Sequence, residues 1–391
     1  MAVSETPGSG APHSTEEGTA VPEWWIFHGT GRPRPHLDLA AELPPPPRWR
    51  TYGGGPHLPP PPPVDEDEET GRVLGVAPTA LAPRRPLGEN ERARLSKVNA
   101  ALYLRRPLLV QGPPGVGKSA LAAQLARELN LGRVLRWTVD SRSTLRSGVY
   151  DYDPISQIHD LNLESVRCGP RTAADRRYAP TDEETAHLRS SAQRIGRYLR
   201  LGPLGTAFLP YRLPRVLLIE GLDRGDYDLA TDLLTLLERG GYTIPELHRL
   251  RTVAPEITVP TNDPRREATI TDGEVRCSAF PVVVITCGTE RPFPPEFLRR
   301  CIPVEHTTPT GAELADIVAA HFSGGLPAHA NSLITDFLRR GAEGSTLAVD
   351  QLLNAVHLAT VIDPGADGAL DEDLLRELSA LLWHRLTDTL G

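Results

Sequence analysis

The chain has 391 residues, 39% hydrophobic and 24% charged, with a net charge of -8. That length suits one large α/β domain with a smaller companion, and the acidic balance argues against a nucleic-acid motor, which would carry a basic face. The opening MAVSETPGSG has neither a charged start nor an apolar stretch, and no apolar run approaches the roughly 20 residues that span a bilayer, so a cytoplasmic protein is expected.

Residues 1–86 stand apart in composition. They contain Pro44–Pro47, Pro59–Pro63 and the acidic run Asp65–Glu69, and they offer too few apolar residues for a core, so polyproline and disordered conformations are expected. The island EWWIFHGTGRP, Glu23–Pro33, is different: Trp24, Trp25 and Phe27 are anchors either for a partner or for the chain's own body. Its glycines follow no strand, so they do not read as a nucleotide loop.

From Leu87 the pattern becomes periodic. Leu95, Val98 and Leu102 have helical spacing, Pro107–Gln111 is a short apolar strand, and SALAAQLARELNL after it is a helix. Val134–Val139, RVLLIE ending at Glu220 and PVVVIT ending at Thr286 read as further strands, which predicts a parallel sheet with helices on both faces. Between the last two lies an alternating segment with the hairpin turn Asp272-Gly273. After Pro309 only helical stretches follow: Ala312–Phe322, Leu333–Arg340, Leu347–Thr360 and Asp371–Leu386. The expected organisation is a tail over 1–86, an α/β core over 87–306 and a small all-α lid over 307–391. Cys168, Cys277, Cys287 and Cys301 form no C-x-x-C pair and read as reduced thiols.

The chemistry sits between the first strand and its helix. Gly112, Gly117, Lys118 and Ser119 complete G-x-x-x-x-G-K-[ST] in the strand-loop-helix context it needs. Backbone N–H groups of Gly112, Pro113, Pro114, Gly115, Val116, Gly117, Lys118, Ser119 and Ala120, the two prolines excepted, are placed to cradle phosphates at a helix N-terminus. Lys118, one of two lysines in a chain whose other basic residues are arginines, is placed for the β- and γ-phosphates, and Ser119 for Mg²⁺. Glu220, the acid at the end of an apolar strand, is the second candidate metal group. The expected ligand is ATP with Mg²⁺.

GPPGVGKS, SRSTLRSGVYDYD (Ser141–Asp153), LGPLGTAFLP (Leu201–Pro210), VLLIEGLDR, TIPEL (Thr243–Leu247) and PEFLRRC (Pro295–Cys301) occur in an order that resembles the MoxR-like AAA+ ATPases over Leu87–Thr360. The resemblance implies a P-loop ATPase core with a helical lid, assembling into a hexameric ring as a chaperone-like remodeller. It implies a protein partner, commonly one with a von Willebrand factor A domain. It makes Arg300 the arginine finger, with Arg299 the second choice, and turns the Ile257–Cys277 hairpin toward the ring pore.

Two departures weaken the expected hydrolysis. The family pattern ends the acidic strand with Asp-Glu, and here the pair is Glu220-Gly221; Asp223 is the next acid, either a site group or a helix cap. Gly288 stands where a polar residue, usually Asn, orients water, leaving the hydroxyls of Thr286 and Thr289. Ser345–Leu353 in the lid offers no arginine. The reading is therefore an ATPase of weakened hydrolysis, the alternative an ATP-gated scaffold with little or no turnover.

Overall fold

The structure is a computed structural model that describes residues 21–61, 68–75, 86–168, 192–288, 291–322, 325–343, 347–362, 377 and 381–383. Its strands in chain order are β1 (Leu108–Gln111), β2 (Leu135–Thr138), β3 (Tyr150–Tyr152), β4 (Leu199–Leu201), β5 (Val216–Glu220), β6 (Gly241–Thr243), β7 (Glu256–Pro260), β8 (Glu267–Thr271), β9 (Glu274–Arg276), β10 (Val282–Cys287) and β11 (Ile302–Glu305). Five of them form one parallel sheet in the order β11-β1-β10-β5-β2. The predicted strands are all in it; the edge strand β11 is an addition, since IPVE is too short and too mixed to announce itself.

Strand alternation divides the core in two. Leu108, Val110, Val216, Leu218, Val284 and Val304 face the helices Glu89–Leu104 and Ala120–Glu128. Leu109, Leu217, Ile219, Val283 and Ile285 face the opposite side, where the helix Tyr227–Arg239 and the antiparallel sheet β6-β9-β8-β7 pack. In that second sheet, the turn between β8 and β9 has Asp272 and Gly273 both at positive φ (53° and 71°), the two-residue hairpin geometry that Asp-Gly favours. β3 and β4 pair as a separate antiparallel ribbon.

The small sheet is bolted to the large one by a buried ion pair. Arg215, one residue before β5, donates from Nη1 and Nη2 to the two carboxylate oxygens of Asp263 at 2.6 and 2.8 Å. Both side chains are essentially without solvent contact, and the guanidinium also lies over the Tyr211 ring. A two-pronged Arg–carboxylate pair is the geometry in which such burial is tolerated.

The N-terminal segment differs from expectation where the structure describes it. Trp25, Ile26 and Phe27 are buried between the helices Glu89–Leu104 and Ala120–Glu128. Backbone capture holds them there. Asn99 accepts from the N–H groups of Ile26 and Phe27 at 2.8 and 2.9 Å and donates to Phe27 O. Glu128, fully buried, accepts from His28 N, from Thr30 N and Oγ1, and from Gly31 N. Farther along, Arg50 Nη1 donates to Leu237 O at 3.0 Å, Tyr52 stacks on Phe280, and Gly54 N donates to Cys277 O at 3.1 Å. The proline-rich composition obscured this because the binding is done by main-chain groups and by partners far away in sequence. Of the two roles open to the aromatic island, Trp25 and Phe27 take the one inside the chain's own body; Trp24 stays 45% exposed, edge-on to Tyr103. The acidic residues 65–67 lie outside the described residues.

The helices Gly311–His321, Ala330–Ala342 and Val349–Ile362 form a separate cluster around Leu314, Phe337 and Leu352, joined by Trp383. The fourth expected stretch, Asp371–Leu386, lies largely outside the described residues. No helix among the described residues is long and apolar enough to cross a membrane.

Removing one member of a buried ion pair leaves an uncompensated charge. Asp263→Ala should therefore lower the free energy of unfolding by about 3–5 kcal/mol. Urea denaturation of the purified chain checks this; a loss under about 1 kcal/mol would show that water reaches Arg215.

Candidate functional site

The phosphate loop runs from the end of β1 to the first turn of the helix Ala120–Glu128. Gly115 and Gly117 have φ of 76° and 87°, left-handed values that a side chain would strain. Gly115 is also crowded: a Cβ there would fall 2.4 Å from Ala348 Cβ, at the start of a lid helix, and Val349 N donates to Gly115 O at 3.0 Å. On the other side of the loop, a Cβ on Gly112 would fall 2.1 Å from His306 O. Pro113 and Pro114 are exposed and Val116 is buried, so the loop is anchored through Val116 and opens toward solvent above it.

Lys118 Nζ donates to Gly112 O and Pro113 O, both at 2.7 Å, so the ammonium sits inside the curl of the loop. Burial pulls its pKa below the ordinary lysine value, against the opposing influence of Cys287 and Asp223. Ser119 Oγ donates to Glu220 Oε1 at 2.5 Å. The contact follows from parity: Val216, Leu218 and Glu220 share the β5 face on which the helix Ala120–Glu128 packs, so the last residue of the strand meets the first of the helix. β10 stands between β1 and β5 in the sheet, and the gap it opens is bridged by this side-chain pair. A hydroxyl and a carboxylate are the oxygen donors that a hard divalent cation takes.

The two glycine departures share one structural account. Gly221 has φ 68° and ψ 40°, and this left-handed step turns the chain into the short helix Leu222–Arg224. Asp223 is thereby returned across the strand ends, where its Oδ2 accepts from Gly288 N at 3.1 Å. Its Oδ1 is buried without a hydrogen-bond partner. Asp223 thus caps no helix; Asp226 caps the helix Tyr227–Arg239. A glutamate at position 221 would need the left-handed conformation, a cost of about 1–2 kcal/mol, with its Cβ 3.1 Å from Arg224 Cδ. Thr286 is buried, and its carbonyl accepts from Gly221 N; Thr289 lies outside the described residues.

Arg299 and Arg300 lie at the end of the helix Pro295–Arg300, both exposed. Arg300 Nη1 is 2.7 Å from Glu238 Oε1, while Arg299 lines a surface hollow with Tyr227, Thr231 and Glu296. Neither caps its helix: the guanidinium of Arg106 does so, reaching the carbonyls of Arg299, Arg300 and Cys301. Cys277, Cys287 and Cys301 are free and buried, with burial pushing each thiol pKa up.

Sequence reading missed two residues. His306, just past β11, donates its N–H to Gln111 O at 2.7 Å and walls the loop. Its Nδ1 is buried without a hydrogen-bond partner, and burial, reinforced by Arg94, pushes the imidazole down to about 4. Arg136 on β2 places Nε 3.5 Å from Glu220 Oε2. No local motif marks either residue; both are brought in by sheet order.

Comparison with known protein families and with curated proteins gives no match. Among solved structures, the chain is similar to NtrX from Brucella abortus in complex with ATP, at 13% identity and a TM-score of 0.38, over 77% of this chain and 58% of that one. It is similar to the same protein in complex with ADP at 13% identity and a TM-score of 0.37, over 80% and 57%. The chain thus spans less than two thirds of the length of those structures.

His306 supplies a pH test. An unfolded imidazole takes up a proton near pH 6.5, the folded one only near 4, so between these values the unfolded state binds more protons. The contribution of His306 to stability is complete above about pH 6.5 and is lost as pH falls toward 4. The difference in unfolding free energy between the native chain and His306→Gln should shrink over that window; a difference constant with pH would place the imidazole in solvent.

Proposed function

We propose that this protein binds ATP with Mg²⁺ and hydrolyses it slowly, as an AAA+ ATPase of MoxR-like type acting in a ring. The observation that carries the reading is the assembled trio: Lys118 Nζ held inside the glycine loop, and Ser119 Oγ on the carboxylate of Glu220. The loop amides take the phosphate oxygens, and Lys118 exchanges the carbonyls of Gly112 and Pro113 for the β- and γ-phosphates. Ser119 and Glu220 would hold Mg²⁺, which would supply charge neutralisation at the phosphates. Ala348 and Val349 close on the loop from the lid, so lid position and loop occupancy are linked.

Hydrolysis needs a carboxylate that orients the attacking water. Glu220 is engaged by Ser119, and Gly221 has no side chain. Asp223 is the acid left for that work: one oxygen is fixed by Gly288 N–H, and the other is buried and uncommitted. Aspartate is one methylene shorter than the usual glutamate and comes from a turn, which agrees with slow chemistry. Arg300, freed from Glu238, reaches the neighbouring subunit's nucleotide, with Arg299 its alternate. A hexameric ring, a chaperone-like remodelling role, and a protein partner with a von Willebrand factor A domain complete the reading on the strength of the sequence resemblance. The second reading, an ATP-gated scaffold, draws on the left-handed Gly221, which removes the usual catalytic side chain altogether.

Lys118→Ala should abolish ATP binding and leave the fold intact, measured by equilibrium titration with a fluorescent ATP analogue alongside circular dichroism. Micromolar affinity persisting in the folded variant would sink the nucleotide assignment.

Asp223→Asn should cut the low basal turnover at least about ten-fold while ATP affinity stays within a few-fold, a modest part of the about 10²–10⁴ that a positioned base contributes. Steady-state phosphate release measures this. No turnover by the native chain would favour the scaffold; unchanged turnover in the variant would remove Asp223 from the chemistry.

A further inference from the structure

Among the described residues, β2 is the edge strand of the central sheet and pairs only with β5. Its alternation sends Leu135 and Trp137 to one face and Arg136 to the other, the face that carries Leu218 and Glu220. Arg136 stands opposite Leu218 in the register, and Glu220 is the next β5 residue on that face. Its guanidinium divides between two acids: Nε lies 3.5 Å from Glu220 Oε2, and Nη1 lies 3.1 Å from Glu69 Oε1. The Nε group is buried and makes no hydrogen bond, so the contact with Glu220 is Coulombic and can tighten. With Ser119 Oγ on the other oxygen, both sides of Glu220 face a donor.

Glu69 comes from the N-terminal region, on the helix Glu68–Leu74. Its Oε2 also lies 3.8 Å from Arg133. That helix is wedged between core and lid. Arg127 Nη2 donates to Thr70 O and Gly75 O at 3.3 and 3.0 Å, and a Cβ on Gly75 would fall 2.2 Å from Ala320 O in a lid helix.

A guanidinium set beside a carboxylate meant for a dication opposes that dication twice: it repels the metal and it occupies the ligand. A second carboxylate drawing the guanidinium aside relieves both effects. We propose that Arg136 competes with Mg²⁺ for Glu220 and that Glu69, carried by the helix between core and lid, sets the strength of the competition. The inference rests on reading Ser119 and Glu220 as the Mg²⁺ site of an ATP loop. It makes Arg136 a positioning residue, acting through Glu220, and couples the N-terminal region to the metal.

The test is equilibrium binding, with no turnover required. The full chain is titrated with a fluorescent ATP analogue at a series of Mg²⁺ concentrations, and the Mg²⁺ giving half-maximal binding is read for each variant. Arg136→Gln should lower that concentration about 3–5-fold, the scale of a partly exposed ion pair, and Glu69→Gln should raise it about 2-fold. The double variant should follow Arg136→Gln, because the proposed route from Glu69 to Glu220 runs through Arg136, and the differences should fade at high salt. A purely structural role for the pair would move stability and leave the Mg²⁺ dependence where it was. Unchanged or opposite shifts in folded variants overturn the proposal. If Arg136→Gln does not fold, the rise in Glu69→Gln decides alone, and its absence overturns it. Failure of the native chain to bind the analogue at any Mg²⁺ concentration overturns the ATP reading itself, a result distinct from binding with unaltered Mg²⁺ dependence.

Discussion

Everything at the site depends on the alternation of side chains along β5. With Val216 and Leu218 committed to the face covered by the helix Ala120–Glu128, Glu220 has no choice of side, and it meets Ser119 at the point where that helix begins. A slip of one residue would place Ile219 against the phosphate loop and turn the acid into the opposite core. The same parity brings Arg136 to Glu220 across the strand pair. One constraint of backbone geometry thus assembles a hydroxyl, an acid and a guanidinium from three separate stretches of chain.

The loop itself is confined from two directions. His306 closes on Gly112 from the end of β11, and Ala348 closes on Gly115 from the lid. Glycine at these positions serves close approach as well as conformation, and the two neighbours come from different layers of the molecule. The neutral imidazole of His306 suits the place: a charged ring there would set like charge beside the Lys118 ammonium.

How much of this was legible in the sequence varies with the distance over which each feature is decided. The phosphate loop, its strand and its helix are local, and GPPGVGKS between an apolar strand and a helical repeat suffices to place them. The Asp272-Gly273 turn is likewise local. Asp223 could be named from sequence but not placed, because its position follows from the left-handed step at Gly221, and a glycine in a string does not state its φ. Arg136 and His306 could not be found at all, since they enter the site through sheet order. The N-terminal segment misled through composition: proline content argues against a core, yet Trp25 and Phe27 need only the cleft between two helices, with Asn99 and Glu128 holding their backbone. The buried Glu128 carried a signal in retrospect, a charged residue on the apolar face of a helix that must find donors somewhere.

The strap formed by residues 25–58 has a consequence for how the chain is made. It is synthesised before the body it packs on, and Arg50 takes the carbonyl of Leu237, a residue 187 positions later. At about 5–20 residues per second, its acceptor follows roughly 10–40 s behind it. For that interval Arg50 and Tyr52 lack their acceptor, whereas the cleft for Trp25 and Phe27 is complete once the helix Ala120–Glu128 has been made. The strap is thus completed in two stages, first in the cleft between the two helices and only later at Leu237 and Cys277.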